Sequence, residues 1–160
     1  MMFVLALVNR SVASHTRPDG LICSACSYLT VCRPELISQH ILELGSGVGA
    51  VGCYVAALQA QEQQGSITLT DYDHQLLANM CRTVERTFPH GSTHPTEDDR
   101  SPCVRIAQLD WIQFTQCPAV PHDLTYGEID CVIGSALVYG PQHACVADVL
   151  KVRVNCRVGG

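Results

Sequence analysis

Apolar positions in this chain fall into two alternating rhythms. Short, mostly apolar runs at 41–44, 67–70, 104–109 and 129–134 read as strands, largely buried. Helical spacing fills the gaps between the first three. Val51, Tyr54, Val55 and Leu58 share one stripe over residues 50–61, and Leu76, Leu77, Met80 and Val84 repeat the pattern before Phe88-Pro89. Residues 21–31 are apolar on most sides and predict a partly buried helix ending near Arg33-Pro34; residues 144–150 predict a last helix. Residues 89–102, with three prolines and Glu97-Asp98-Asp99, read as a solvent loop, and a polar, proline-containing stretch runs from Trp111 to about Gly127. No internal repeat is present.

Strands alternating with helices predict an α/β fold: a Rossmann-like, mostly parallel sheet with flanking helices and right-handed crossovers. The domain is expected over residues 21–150, after an N-terminal extension (1–20) and before a short tail (151–160). The opening Met1-Met2-Phe3-Val4-Leu5-Ala6-Leu7-Val8 lacks the positive flank of a signal peptide, although Val12-Ala13-Ser14 loosely imitates a cleavage site. A buried strand ahead of the main domain is the better reading.

Composition removes several function classes. Of 160 residues, 47% are hydrophobic and 16% charged, enough for a sizeable core and too apolar for a disordered chain. The net charge is −5 and Lys and Arg never cluster, so neither nucleic acid nor an anionic membrane surface is an expected partner. No apolar run reaches the roughly 18 residues of a membrane span. The ten cysteines are scattered, some within apolar segments as at Cys53 and Cys131, which fits reduced thiols and a cytoplasmic location, the nucleus also being open. Cys23-Ser24-Ala25-Cys26 has no second pair to complete a zinc site, since Cys32, His15 and His40 stand at the wrong spacings; no metal is expected. His143 with Cys145 reads as helix surface. Oligomeric state leaves no mark in the sequence.

In a parallel sheet the ligand lies beyond the carboxyl ends of the strands. Those ends carry Gly45-Ser46-Gly47, Asp71, Asp110-Trp111 and Ser135-Ala136, so the best chemical candidates converge on one edge. Glycines at 45, 47 and 49 allow a sharp turn and a close backbone approach. Asp71, roughly 20 residues further on, stands where a carboxylate accepts hydrogen bonds from both ribose hydroxyls. The pair points to an adenosine-containing ligand. Gly47-Val48-Gly49-Ala50-Val51-Gly52 also matches GxGxxG, which keeps a nicotinamide dinucleotide in contention. Two residues favour S-adenosylmethionine. Glu43 would face a pyrophosphate badly but suits a cationic amino group, and Trp111 after Asp110 offers a flat face for adenine beside a carboxylate for its amino group.

Taken in order, Ile41-Leu42-Glu43-Leu44-Gly45-Ser46-Gly47-Val48-Gly49, Leu69-Thr70-Asp71-Tyr72, Leu109-Asp110-Trp111 and Asp130-Cys131-Val132-Ile133-Gly134-Ser135 resemble the seven-strand protein-lysine methyltransferases called methyltransferase family 16. That family includes enzymes acting on calmodulin, elongation factors and chaperones. The resemblance spans roughly residues 20–150. It implies S-adenosylmethionine as cofactor, held by Glu43, Gly45, Ser46, Gly47, Gly49, Asp71, Tyr72, Asp110, Trp111 and Ser135. It also implies Tyr139 on the catalytic side and a lysine-containing protein as substrate.

The sequence departs from the family at three places. The family's Asp-x-x-Tyr after the fourth strand reads Ala136-Leu137-Val138-Tyr139, keeping the tyrosine and losing the acid. A Trp that covers the cofactor in the family is replaced by Ile22 or Cys23. The chain also ends before the remaining strands of a seven-strand sheet, so an apparent C-terminal truncation is expected to leave the fourth strand with an open edge. Two rival readings follow: a catalytically impaired cofactor-binding or interaction protein of the same fold, and an NAD-binding oxidoreductase domain.

Overall fold

A computed structural model describes residues 3–7, 18–32, 34–89, 103–116, 129–135 and 137. In chain order these form β1 (Phe3–Leu7), α1 (Pro18–Cys32), a single 3-10 turn (Pro34–Leu36), β2 (His40–Leu44), α2 (Ala50–Glu62), β3 (Ser66–Asp71), α3 (His74–Thr87), β4 (Val104–Gln108), α4 (Trp111–Gln116) and β5 (Cys131–Ser135). The five strands make one sheet, order β1-β5-β2-β3-β4, with every pairing parallel.

Side chains alternate across the sheet, and the alternation sorts the core into two layers. Ile41, Ile67, Leu69, Val104, Cys131 and Ile133 meet Ala25 and Leu29 of α1, Val51, Val55 and Ala56 of α2, and Met80 and Val84 of α3. Leu42, Leu44, Ala107 and Val132 pack on the other side with Leu109, Phe114, Ile129, Leu137 and the half-buried Trp111. Asp73 starts α3, accepting the Gln75 N–H at 2.7 Å, and the helix gives out at Phe88, ahead of Pro89. Cys53 lies inside the first layer, where burial pushes its thiol up and keeps it neutral. No helix among the described residues is long and apolar enough to cross a membrane.

Three expectations change. Phe3–Leu7 is not a strand ahead of the sheet but a member of it, paired with β5 over all five residues from Phe3↔Cys131 to Leu7↔Ser135. The fourth strand of the sequence reading is therefore not an open edge: β5 is bonded to β2 on one side and β1 on the other, because the apolar opening segment supplies the missing ladder partner. The stretch after Trp111 opens with the short helix α4, started by Asp110, whose carboxylate accepts the N–H groups of Ile112 (2.9 Å) and Gln113 (3.2 Å). The helix expected over residues 144–150 lies outside the described residues.

Candidate functional site

Because the sheet is wholly parallel, the turn after β2, the end of β3, the start of α4 and the end of β5 all lie at one edge. The chain leaves β2 toward β3 on one side and returns to β5 on the other, so the glycine turn sits where strand order reverses, the place where such sheets open a crevice.

The turn is built from left-handed glycines, with φ of +60° at Gly45, +57° at Gly47 and +81° at Gly49. At Gly47 a Cβ would meet nothing within 4 Å, so the backbone conformation, not space, requires glycine there. Asp71 ties the turn to β3: its Oδ2 accepts the Gly47 N–H at 3.0 Å, and its Oδ1 accepts those of Tyr72 (2.8 Å) and Asp73 (3.3 Å). This carboxylate is only 6% exposed, so its orientation is set by the protein before any ligand arrives. Asp71 does not cap α3; Asp73 does.

Glu43 is the second acid. It lies between Leu69 and Ile133 in register, 3% exposed, and its Oε2 has no hydrogen-bond partner. Desolvation raises its pKa from 4.5 to about 7; the Ser46 hydroxyl and the Gly52 N–H pull it down, while the charge of Asp71 adds a little upward push. A Cβ on Gly52 would stand 2.7 Å from that oxygen, so a glycine in the first turn of α2 makes room for the buried carboxyl.

Ser46 and Thr70 pin the turn from beneath. The Ser46 N–H donates to the Thr70 carbonyl (2.9 Å), the Thr70 N–H donates to Ser46 Oγ (3.1 Å), and Thr70 Oγ1 donates to the Glu43 carbonyl (2.7 Å). Trp111 stands over Gly45, with ring carbons 3.4 and 3.5 Å from where a Cβ would be, while Leu137 comes within 2.9 Å of the same point. The indole thus both packs on the second core layer and covers the turn. Asp110 commits one carboxylate oxygen to α4. Tyr72, Val48 and Ile112 are exposed apolar side chains next to Asp71, Gly47 and Trp111 respectively, so three of the strand ends carry an apolar rim.

The structure therefore gathers Glu43, Gly45, Ser46, Gly47, Gly49, Asp71, Tyr72, Asp110 and Trp111 at one edge. Ser135 ends β5 opposite Leu7 at that same edge, and its side chain is not described. Ala136 and Tyr139 lie outside the described residues, and of Ile22 and Cys23 only the helical backbone is described. Thr70, Gly52 and Leu137 were not singled out by sequence. Two of them left a signal: Thr70 is a polar side chain inside an apolar strand run, and Gly52 closes the GxGxxG match at 47–52. Among the described residues no group of three or more His, Cys, Asp or Glu could hold a metal ion.

No curated protein matches the sequence. Two solved structures of the glycopeptide N-methyltransferase MtfA match part of this chain. The complex with sinefungin has 16% identity and a TM-score of 0.41, covering 83% of this chain and 41% of that one. The complex with (S)-adenosyl-L-homocysteine has 16% identity and a TM-score of 0.36, covering 69% and 35%. This chain thus spans less than half the length of that enzyme. A family profile described as lysine methyltransferase matches residues 11–153, most of the sequence and all of the site just described. The chain belongs to the lysine methyltransferase family.

Proposed function

We propose that this chain is an S-adenosylmethionine-binding methyltransferase domain whose acceptor is a lysine side-chain amine of a protein substrate. One observation carries the reading. Two buried carboxylates, Glu43 and Asp71, flank the glycine turn, and the described strand ends around them contain no Lys or Arg. Such an edge suits a ligand with cationic groups and neutral hydroxyls. A diphosphate there would meet about 4 kcal/mol of repulsion for each charge pair near 4 Å at an effective dielectric of about 20. That weighs against the dinucleotide reading of the same glycines.

The residues fit this cofactor. After accepting three backbone N–H groups, Asp71 keeps about one of its roughly four acceptor sites, on Oδ2, for a ribose hydroxyl. The orphan Oε2 of Glu43 is the natural counter-charge for an ammonium group, directly or through water. Trp111 and Tyr72 offer aromatic surface beside the ribose carboxylate. When bound, S-adenosylmethionine supplies an electrophilic sulfonium methyl: the C–S bond breaks as the N–C bond forms, sulfur keeps the electron pair, and the amine releases a proton. No side chain of this protein needs to act as a nucleophile. Its residues contribute by fixing the two halves of the ligand and by holding reactants in line.

A second reading, binding without transfer, is favoured by Ala136, where the family carries an acid toward the substrate. One assay separates the two. The protein is incubated with methyl-labelled S-adenosylmethionine and lysine-containing acceptor proteins, and labelled lysine is sought by mass spectrometry. Label that disappears with Asp71→Ala supports the enzyme. Label that appears only after Ala136→Asp assigns the natural chain to binding alone. The scattered cysteines fit work in a reducing cytoplasm.

A further inference from the structure

We propose that Thr70, acting with Ser46, is a positioning residue that sets the distance between the two halves of the cofactor site and does not itself touch the ligand. This rests on the reading of the edge as a cofactor site, and it gives Ser46 a different role from the ligand contact expected from sequence.

The argument starts where the β2–β3 ladder stops. Backbone register runs from His40↔Ser66 to Glu43↔Leu69, and beyond it β2 bends away into the glycine turn. Pairing nevertheless continues. The Ser46 N–H reaches the Thr70 carbonyl at 2.9 Å, and the Thr70 N–H is met by Ser46 Oγ at 3.1 Å. A side-chain oxygen thus carries the pairing of the two segments past the last register pair. Thr70 then closes the arrangement from its own side chain, donating Oγ1 to the Glu43 carbonyl at 2.7 Å. Thr70 is 0% exposed, so neither its hydroxyl nor its amide is available to a ligand.

Both neighbours of this clamp are carboxylates of the site. Glu43 precedes the turn, and Asp71 follows Thr70 and takes the Gly47 N–H at 3.0 Å. A ligand that spans from Asp71 to Glu43 and the turn reads the separation of the two, which the three Ser46–Thr70–Glu43 bonds fix. A ligand that touches only the Asp71 side does not. This asymmetry distinguishes positioning from general support of the fold.

The experiment uses the full chain and two probes, S-adenosylhomocysteine, which spans both halves, and adenosine, which reaches the ribose side only. Thr70→Val removes the hydroxyl at nearly constant shape, Ser46→Ala removes the acceptor of the Thr70 N–H, and Thr70→Ser restores a hydroxyl. The expected result is about tenfold weaker S-adenosylhomocysteine binding for Thr70→Val and Ser46→Ala, adenosine binding within about twofold, and recovery in Thr70→Ser. Amide hydrogen exchange without ligand should rise at Ser46 and Gly47 and stay unchanged in the α2 and α3 interiors. Equal weakening of both probes together with global loss of exchange protection overturns the inference in favour of a merely structural role. Wild-type-like S-adenosylhomocysteine binding by Thr70→Val and Ser46→Ala overturns it alone. If the folded wild type binds neither probe, the cofactor reading fails and takes this inference with it.

Discussion

Replacing Glu43 with glutamine probes the most unfavourably placed charge among the described residues. The carboxyl is 3% exposed and its pKa is raised from 4.5 to about 7, chiefly by desolvation. At about 1.4 kcal/mol per tenfold change in proton affinity, the displacement corresponds to roughly 3 kcal/mol. Between pH 4.5 and about 7 the unfolded chain has released this proton while the folded chain still holds it. The folded state therefore binds more protons in that window, and stability falls as pH rises through it, levelling off above about 7. Below pH 4.5 both states are protonated and the penalty is absent.

Glu43→Gln removes the titration but puts an amide where Oε2 has no partner, at a cost of about 1–3 kcal/mol for an unsatisfied buried donor. Absolute stabilities of the two proteins can thus nearly coincide at pH 8. The slope discriminates. Urea unfolding at half-unit steps from pH 4.5 to 8 should show wild-type stability losing roughly 3 kcal/mol relative to Glu43→Gln across the window. Parallel curves for the two proteins would refute the assignment of a buried Glu43 that holds its proton to about pH 7. Cofactor binding carries the opposite dependence: a cationic ligand needs the carboxylate ionised, so with a pKa of about 7 wild-type affinity for S-adenosylhomocysteine should drop roughly fivefold between pH 7 and 6, and that of Glu43→Gln should stay flat.

Three further outcomes follow from the geometry. Gly52→Ala drives a methyl group against Leu69 and to 2.7 Å from Glu43 Oε2, and should cost about 1–3 kcal/mol of overpacking in urea unfolding. Trp111 is the sole tryptophan and stands over Gly45, so its fluorescence should respond saturably to S-adenosylhomocysteine; an unchanged spectrum at saturation would make it core packing only. Removing residues 1–8 deletes β1 and uncovers the β5 edge, and should broaden thermal unfolding and promote association in gel filtration, whereas an unaltered monomer-like profile and melting curve would deny β1 a place in the sheet.

Much of this architecture was legible because parallel strands covered on both faces are mostly apolar, and 41–44, 67–70 and 129–134 are. The ends of those runs also told where the site lies, since topology alone brings parallel strand ends to one edge. What stayed hidden depended on partners remote in sequence. Nothing in Phe3–Leu7 says that it will pair with Cys131–Ser135, because an apolar pentapeptide specifies a buried strand and not its neighbour. The helix after Asp110 was masked by a polar, proline-containing stretch, although Asp110 is a good capping residue and was read only as an adenine ligand. Glu43 was recognised as a site acid from its place before the glycines. The room for its buried side chain comes from Gly52, nine positions away, a glycine that the sequence marked only as the end of a GxGxxG match. Thr70 looked like strand filler because its hydroxyl partner is a backbone carbonyl of another strand.

The central claim is that the edge holding Asp71 and the glycine turn is a pocket for a cationic adenosine cofactor. The most direct measurement is calorimetric titration of the folded wild type and Asp71→Ala with S-adenosylhomocysteine, with NAD as a competitor. Asp71→Ala should lose hydrogen bonds to the ribose and the Gly47 tether together, worth about 1.5–3 kcal/mol for each charged bond and so at least a hundredfold in affinity. Saturable one-to-one binding by the wild type, lost in the variant and undisturbed by NAD at comparable concentration, is the predicted result. No binding by the folded wild type, or equal binding by Asp71→Ala, would contradict it.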